Sequence, residues 1–382
     1  MVKKLLLLFV LLLTALFLYN KKYESKIEGD TILLGASLPL TGINKELGQE
    51  VLEGADAYFR YINDTGGIQH KRVKLIYYDD KYEPQKTLKN THTLIEKDKV
   101  FALFGFVGTP TTKKILPFIK DIPFIAPYTG ASFLRNSTYP QIVNFRSSYD
   151  EEIEHVVQYL YHKKGITRFA IFYQNDDYGI AGYNASIKAL HQRKLKLVSE
   201  GTYKRNTLSI KHALYEINKG DPEAIILVGA YKPSARFIKR WRQLYSQKTL
   251  FAPISFVNAN ALIEELEDHG EHIYFSLTVP SYDNKTLNVA NEYRSLLGRY
   301  YPQSRPSYAS FESFLAAKTV VLALQKIEGD ITQKKFLTHL KNLPPDAIGQ
   351  IPIAYHNSQL LNSVYLSIFR EGRFNLVEDT HR

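Results

Sequence analysis

The turn within residues 104–112 combines residue types that could bind an anion. A buried strand runs there into Gly108-Thr109-Pro110-Thr111, which opens a helix. A helix N-terminus presents backbone N–H groups and partial positive charge, so hydroxyls and amides at this turn are suited to bind a carboxylate. Threonine is also a common helix cap, and capping is the simpler explanation of the pattern. The turn is therefore a candidate binding site with an ordinary structural alternative.

A second strand end, at residues 125–131, follows one helix later and contains Tyr128, Thr129 and Gly130. In a parallel sheet both turns emerge at the same carboxyl edge, where open α/β sheets bind their ligands. The second half of the chain offers matching strand ends at residues 175–179, 229–231 and 254–256. Two such edges facing each other would form a cleft.

Signatures of catalysis and metal binding are missing from the sequence. It has no phosphate-binding Walker loop, no Gly-x-Ser-x-Gly elbow, no His-Glu-x-x-His and no cysteine. The acidic cluster at residues 150–154 opens a predicted helix, where the helix dipole stabilises carboxylates. Asp79 and Asp80 are adjacent on a predicted strand and so point to opposite faces. We expect no enzyme, metal or cofactor, although a doubly wound scaffold alone does not exclude catalysis.

Apolar runs of strand length alternate with amphipathic helical segments from residue 31 to residue 252. This alternation requires right-handed crossovers and a parallel sheet covered on both faces, a doubly wound α/β fold. Because roughly a hundred residues lie in each half around Asp150, two sheets fit better than one. No long linker separates the halves, so we expect the chain to cross between the lobes more than once.

After Pro280 the pattern changes to longer helices and then to two final strands. The helices are predicted at residues 287–300, 311–327 and 334–340, and the strands at residues 364–369 and 374–377. We expect the turn at Glu371-Gly372 to join these strands.

Residues 1–26 have the basic start and apolar core of a signal peptide, and we expect export. No small-x-small cleavage site follows and no cysteine accepts a lipid, so an uncleaved N-terminal anchor stays open. Without these residues the net charge falls from +11 to +7, because 44 basic residues then face 37 acidic ones. The basic residues are scattered among acids, which argues against nucleic acid as a partner.

Several short motifs occur in one order along residues 31–330. They are Gly35-Ala-Ser-Leu-Pro-Leu-Thr-Gly42, Gly48, Gly54-Ala55, Ile62-Asn63, Gly66-Gly67-Ile68, Tyr78-Asp79-Asp80, Pro84, Gly105, Gly108-Thr109-Pro110-Thr111, Pro127, Thr129-Gly130-Ala131, Asp177-Tyr178-Gly179 and Gly229-Ala230-Tyr231. With this spacing the chain resembles the type I periplasmic binding proteins of ABC importers, in particular the branched-chain amino acid and amide binding family.

The resemblance implies a Venus-flytrap architecture of two Rossmann-like lobes joined by three crossings. The crossings are expected near residues 147–150, 277–280 and 348–352. Lobe 1 would then comprise residues 31–147 and 277–348, and lobe 2 residues 148–276 and 349–382.

The resemblance also implies roles for individual residues. Thr109 and backbone amides of its turn, which includes Pro110 and Thr111, would hold a ligand carboxylate. Tyr128, Thr129 and Gly130 would complete that pocket, Leu47 would form a side-chain wall, and Tyr178 and Tyr231 would close over the ligand from lobe 2.

Two departures from the family pattern bear on the ligand. Where amino-acid binders place an acid for the ligand ammonium, this chain has Ser255, flanked by Ile254 and Phe256. A buried ammonium without a charged partner is costly, which argues against a standard branched-chain amino acid. Gly130 falls near a family hydroxyl position, leaving Thr129 as the expected donor. Carboxylates, amides and aromatic acids stay open.

We therefore expect a monomeric, exported protein of the periplasm that binds a small polar organic solute between its lobes. The expected partner is an ABC permease in the inner membrane. The alternative is a membrane-tethered sensor that passes lobe closure to a signalling partner, which the uncut-looking leader motivates.

Overall fold

The structure, a computed structural model, describes residues 29–136 and 138–380. The predicted leader at residues 1–26 lies outside these residues. No helix in the described part of the chain is both long and apolar enough to cross a membrane.

Strands and helices alternate through most of the described chain, as predicted. The strands are β1 (Thr31–Leu38), β2 (Arg72–Asp79), β3 (Ala102–Phe104), β4 (Phe124–Ile125), β5 (Ile142–Val143), β6 (Phe169–Gln174), β7 (Leu197–Tyr203), β8 (Ala224–Val228), β9 (Leu250–Pro253), β10 (Tyr274–Leu277), β11 (Val364–Arg370) and β12 (Arg373–Thr380). The helices are α1 (Lys45–Asp64), α2 (Pro84–His92), α3 (Thr109–Ile115), α4 (Tyr149–Lys164), α5 (Asp177–His191), α6 (Lys211–Asn218), α7 (Tyr231–Leu244), α8 (Ala259–Leu266), α9 (Asn288–Tyr300), α10 (Tyr308–Gln325) and α11 (Gln333–Lys341).

Two parallel sheets form the framework, which confirms the predicted doubly wound α/β fold. The first sheet has the order β2-β1-β3-β4-β5 and the second the order β7-β6-β8-β9. Apolar side chains cover both faces of the first sheet. Leu103 and Phe124 belong to one buried cluster, whereas their chain neighbours Phe104 and Ile125 belong to the other. Because neighbouring strand residues point to opposite faces, each cluster covers one side.

A third sheet, of antiparallel strands β10-β11-β12, continues from the second through a bridge between Phe251 and Ile273. We call the first parallel sheet and the helices packed on it the first lobe. The second lobe consists of the second parallel sheet, the antiparallel sheet and the helices packed on them. Residue Gln359 still pairs with Asn144 beside β5, and the Leu361 amide donates to the Phe145 carbonyl at 2.8 Å. The chain therefore leaves the first sheet after Leu361, beyond the crossing expected at residues 348–352. The predicted lobe boundaries otherwise stay a prediction.

Helix α10 is buried on nearly all sides and packs against α1 in the first lobe. Gly54 of α1 lies so close to the Ser310 carbonyl that an added Cβ would be 1.9 Å from its oxygen. The Ser313 hydroxyl of α10 donates to the Val51 carbonyl at 2.6 Å. This contact fixes α1, whose first turns reach the second lobe.

Candidate functional site

The carboxyl ends of the two parallel sheets face each other, and aromatic rings from both lobes meet there. Phe256, from the loop after β9, has its ring centroid 6.1 Å from that of Tyr82 and 6.0 Å from that of Tyr128. All three side chains are buried. The strand ends predicted to form a cleft therefore do come together.

Two threonine hydroxyls of the first lobe form a buried chain with the hydroxyl of Tyr149. The Oγ1 atoms of Thr109 and Thr129 are 2.7 Å apart, and Thr129 Oγ1 lies 3.4 Å from the Tyr149 hydroxyl. Each of these residues is fully buried. Tyr149 begins α4 and was not predicted, because its place beside Thr129 depends on how the chain crosses between lobes. This cluster has the donors and acceptors that a carboxylate, amide or hydroxyl ligand needs.

The turn before α3 depends on a glycine. Gly108 has φ +108°, and a Cβ there would lie 2.3 Å from the Tyr82 ring. The Thr111 hydroxyl donates to the carbonyls of Val107 and Gly108, at 2.6 and 2.9 Å. Pro110 is buried and has no N–H to offer. Of this turn, Thr109 therefore remains the best candidate to contact a ligand, and the contact itself stays a prediction.

Tyr82 is a further wall residue that the sequence analysis missed. Asp80 holds its loop by accepting hydrogen bonds from the Tyr82 amide and the Ser37 hydroxyl, both at 2.8 Å. Burial raises the pKa of Asp80 to about 6. Asp79 binds other partners, including the Leu40 amide at 3.0 Å. The two acids therefore act separately, and Asp80 orders the loop that carries Tyr82.

The second-lobe side is mainly aromatic. The Tyr178 ring centroid lies 4.5 Å from that of Phe256 and 5.5 Å from that of Tyr149. The Tyr203 hydroxyl donates to Gln174 Oε1 at 3.0 Å and accepts from the Ala230 amide at 2.7 Å. Tyr203 thus fixes the turn after β8. It lies at the end of β7, an edge strand whose alternating polar residues gave no apolar run in the sequence.

Gly130 and Tyr231 occupy their positions for different reasons. A Cβ on Gly130 would lie 2.4 Å from the Tyr149 ring, so a hydroxyl residue does not fit there. Tyr231 begins α7, and its hydroxyl donates to the Glu46 carboxylate of α1 in the other lobe. Leu47, next to Glu46, is 1% exposed. Tyr231 therefore joins the lobes at the place where closure was predicted.

Ser255 is held by an acid from another element. Its amide and hydroxyl donate to the two carboxylate oxygens of Glu152 in α4, both at 2.8 Å. Ser276 Oγ donates to the same carboxylate at 2.9 Å. The acidic cluster at residues 150–154 does open a helix, as predicted, and Glu151 is the partner of Ser148 in a capping box there. Glu152 instead points into the protein, where it is fully buried.

A buried ion pair lies beside Ser255. Arg146 Nε lies 3.0 Å from Glu312 Oε1, and Nη2 donates to Glu312 Oε2 at 3.1 Å and to Ser255 Oγ at 2.6 Å. Burial raises the pKa of Glu312 and of Glu152, and the positive charge of Arg146 opposes both shifts. The guanidinium carbon lies 4.1 Å from the Tyr128 ring centroid, a cation–π contact. Charge is thus concentrated at the hinge end of the cleft.

Further polar contacts join the lobes around the cleft. Arg205 pairs with Glu83 of the first lobe and Asp176 of the second, each at 3.1 Å. Lys113 Nζ lies 2.6 Å from the Asp177 carboxylate. Asn258 Nδ2 donates to Glu50 Oε2 at 3.0 Å. These contacts close the rim over the aromatic interior.

A separate cavity of about 790 Å³ lies beside the hinge, with Asn260, Tyr282, Gln350 and Phe374 among its walls. It contains none of the predicted site residues. None of its wall residues has a buried side-chain polar atom without a hydrogen-bond partner. No group of three acidic, histidine or cysteine side chains within the described ranges is arranged to hold a metal. The strand ends therefore remain the stronger candidate site.

Most of the described chain resembles known proteins. A family model described as periplasmic binding protein matches residues 31–367. An amino acid binding protein from Pseudomonas aeruginosa is 23% identical over 220 residues, covering 56% of this chain and 57% of that protein. Leu/Ile/Val-binding protein homolog 1 from Brucella abortus is 22% identical over 294 residues, covering 74% of this chain and 70% of that protein. The chain thus spans little more than half of the first of these relatives.

A solved structure also resembles this chain. The crystal structure of a possible leucine/isoleucine/valine-binding protein from Rhodopirellula baltica superposes with a TM-score of 0.87 and 29% identity. The match covers 93% of this chain and 98% of that chain. The predicted two-lobed architecture is therefore confirmed.

Proposed function

The chain belongs to the periplasmic binding protein family, and from this premise we propose that it captures a small polar organic solute between its lobes and delivers it to an ABC importer. Like its relatives, it is a solute-binding protein and not an enzyme. The observation that carries the proposal is the buried hydroxyl cluster of Thr109, Thr129 and Tyr149, which lies next to the aromatic wall of the second lobe.

Binding would begin on the first lobe and end with closure of the second. In the open form, Thr109 and Thr129 are free to hold the polar end of the solute. Closure then brings in Tyr178 and Phe256 and excludes water, which strengthens every polar contact inside. A solute shifts the equilibrium towards the closed form only by as much as it binds that form better. The solute must therefore touch both lobes.

The walls favour a ligand with an apolar or aromatic body and one strongly polar end. The apolar part comes from the rings of Tyr82, Tyr128, Tyr178 and Phe256, all buried between the lobes. The polar part comes from the hydroxyl cluster. Carboxylates, amides and aromatic acids share this pattern.

The site can be tested with the double variant Thr109→Ala/Tyr231→Ala. Thermal-shift screening of amino acids, amides, ureas and aromatic acids would first identify a binder, because a ligand raises stability with its saturation. We expect the double variant to weaken calorimetric affinity for that binder by at least tenfold. The matched control Thr338→Ala/Tyr215→Ala changes the same residue types at exposed positions and should bind as the wild type does. Unchanged affinity in the test variant would remove Thr109 and Tyr231 from the site.

The proposed location and partner of the protein are based on its family and on the predicted leader. We propose that the mature protein acts in the periplasm and docks on an inner-membrane permease. Retention at the membrane through residues 1–26 would instead favour the sensor role, since these residues lack a clear cleavage motif. Fractionation of the full chain after expression separates the two: a carrier is released with the periplasm, and a tethered sensor stays with the membrane.

A further inference from the structure

The Arg146 guanidinium lies where the two lobes and the hinge meet. It is fully buried, between the Tyr128 ring of the first lobe and the Ser255 hydroxyl of the second. Thr278, on another crossing segment, lies 3.5 Å from its Nη2. Tyr128 and Ser255 both follow strand ends at the cleft. Arg146 therefore lies beside the site already described.

The hydrogen bonds of this guanidinium leave one side without a partner. A guanidinium is planar and has a fixed fork of five N–H donors. Glu312 takes the edge formed by Nε and Nη2, and the second proton of Nη2 points to Ser255. Nε and Nη1 are both buried without a hydrogen bond, but Nε still lies 3.0 Å from Glu312 Oε1, whereas Nη1 has no such contact. Because the guanidinium is rigid and planar, Nη1 lies next to Nη2, at the end of the Arg146 side chain that contacts Ser255.

Acceptors near Arg146 are already engaged. The Glu152 carboxylate accepts three hydrogen bonds, two from Ser255 and one from Ser276. The Glu312 carboxylate accepts from Arg146 and from the Thr278 hydroxyl, the latter at 2.7 Å. Both carboxylates are therefore engaged by the serine, threonine and arginine donors around them. What this end of the cleft offers is an N–H donor.

We propose that Arg146 sets the ligand class by donating from Nη1 to an oxygen on the carbon next to the ligand carboxylate. The cleft then selects 2-oxo or 2-hydroxy carboxylic acids over the corresponding 2-amino acids. An ammonium placed against Nη1 would bring two sets of N–H donors together with no acceptor between them. An oxo or hydroxyl oxygen would instead satisfy the buried donor. This inference rests on the proposed function, because it assumes that the ligand occupies the interlobe cleft.

Matched ligands on one carbon skeleton test the inference with the wild-type protein. The probes are phenylpyruvate, phenyllactate, phenylalanine and 3-phenylpropanoate, with the corresponding four acids of the leucine skeleton. We expect calorimetric affinity for the oxo or hydroxy acid to exceed that for the amino acid by at least tenfold on the skeleton that fits. Tighter binding of the amino acids would overturn this inference and leave the proposed function standing. No binding by any probe would count against the proposed function and the inference together.

Variants then assign the preference to Arg146. Because Arg146→Gln alone leaves Glu312 buried without its partner, the variant to use is Arg146→Gln/Glu312→Gln, which keeps the pair neutral. We expect its preference for oxo over amino acid to fall to within about threefold, while 3-phenylpropanoate, which has no substituent there, binds nearly as before. A preference that stays at the wild-type ratio would overturn the role of Arg146.

Arg135 provides the matched control. It is another arginine near the hinge, and its Nε, Nη1 and Nη2 all have partners: Gln359 Oε1 and the carbonyls of Ala131, Thr129, Arg146 and Ser147. Since no N–H-bearing nitrogen of Arg135 is left for a ligand, Arg135→Gln should change affinity for all probes by the same factor. A change of the oxo-to-amino ratio in this control as well would overturn the assignment, because the ratio would then report hinge geometry.

Discussion

The two ends of the interlobe contact both pair basic with acidic side chains, but these are buried at one end and exposed at the other. At the hinge end, Arg146, Glu152 and Glu312 are at most 4% exposed and share hydrogen bonds with serine and threonine hydroxyls. At the rim, Lys113 and Asp177 have side chains 54% and 39% exposed. Buried pairs depend on having every partner in place, whereas exposed pairs contribute little.

This difference separates two properties of the protein. Arg146 and Thr278 lie on segments that pass between the lobes, so their contacts hold the fold together whether the lobes are open or closed. The rim contacts connect opposite lobes and form only on closure. Changes at the hinge end should therefore lower stability as well as ligand selectivity, and changes at the rim should alter ligand affinity with little loss of stability.

The largest effect is expected from Glu312→Ala. Removing this carboxylate leaves the Arg146 guanidinium buried without its ion pair, which costs about 3–5 kcal/mol of unfolding free energy. Urea denaturation of the variant measures this loss. The control is Glu264→Ala, which breaks the exposed pair with Arg305 and should cost less than about 1 kcal/mol. Equal losses in the two variants would contradict the distinction between buried and exposed ion pairs.

The next effect is a pH dependence of closure through Glu50. In the closed form, burial raises the pKa of Glu50 to about 8, with Glu264 and Glu53 adding to the shift while Ser307 and Asn258 oppose it. In the open form we expect an ordinary pKa near 4.5, the value for a solvated glutamate. Closing therefore takes up a proton between these pH values. The contribution of Glu50 to closure is complete below about pH 4.5 and is lost as the pH rises through about 8.

Ligand affinity should consequently fall roughly 25-fold from pH 6.5 to pH 8.5, tenfold for each pH unit up to about 8 and little beyond it. Calorimetry at pH 6.5 in buffers of different ionisation enthalpy should detect uptake of up to one proton per ligand bound. Glu50→Gln keeps the contact to Asn258 and abolishes the uptake. Proton uptake that persists in Glu50→Gln would assign the effect to another group.

A smaller effect is expected from Arg205→Ala. Arg205 is partly buried and contacts Glu83 across the cleft as well as Asp176 in its own lobe. Losing one interlobe pair of this kind costs roughly 0.5–1 kcal/mol, so affinity should fall about two- to fivefold. Urea denaturation should show little change, because Asp176 also accepts a hydrogen bond from Gln174. A large stability loss with unchanged affinity would place Arg205 with the hinge end instead.

Much of the framework could be predicted from local sequence. Continuous apolar runs such as β8 are buried from both sides and are easily detected. The turn after β3 is indicated by Gly108 and Thr109. Four elements were missed: the edge strand β7, the two-residue strand β5, strand β10 and helix α8. Strand β7 alternates with polar residues, and β5 is too short for any periodic signal.

The hinge end could not be predicted, because its partners are remote in sequence. Arg146 and Glu312 are 166 residues apart, and Ser255 lies 103 residues from Glu152. Glu152 also stands in the first turn of α4, where an acid is adequately explained by the helix dipole. Only the crossing of the chain between lobes brings the Glu152 carboxylate to Ser255.

The smallest effect is expected at the most exposed rim pair, Lys113 and Asp177. Both side chains keep much of their hydration in the closed form, so the ion pair gains little beyond what water already gives each charge. Lys113→Ala should lower affinity by less than about twofold at 150 mM salt, where exposed charges are screened within about 8 Å. Titrations at 20 mM and 150 mM salt, compared with the control Lys335→Ala in α11, measure the effect. A loss above tenfold at 150 mM salt would show that this part of the rim closes as tightly as the hinge end, and the comparison between the two regions would fail there.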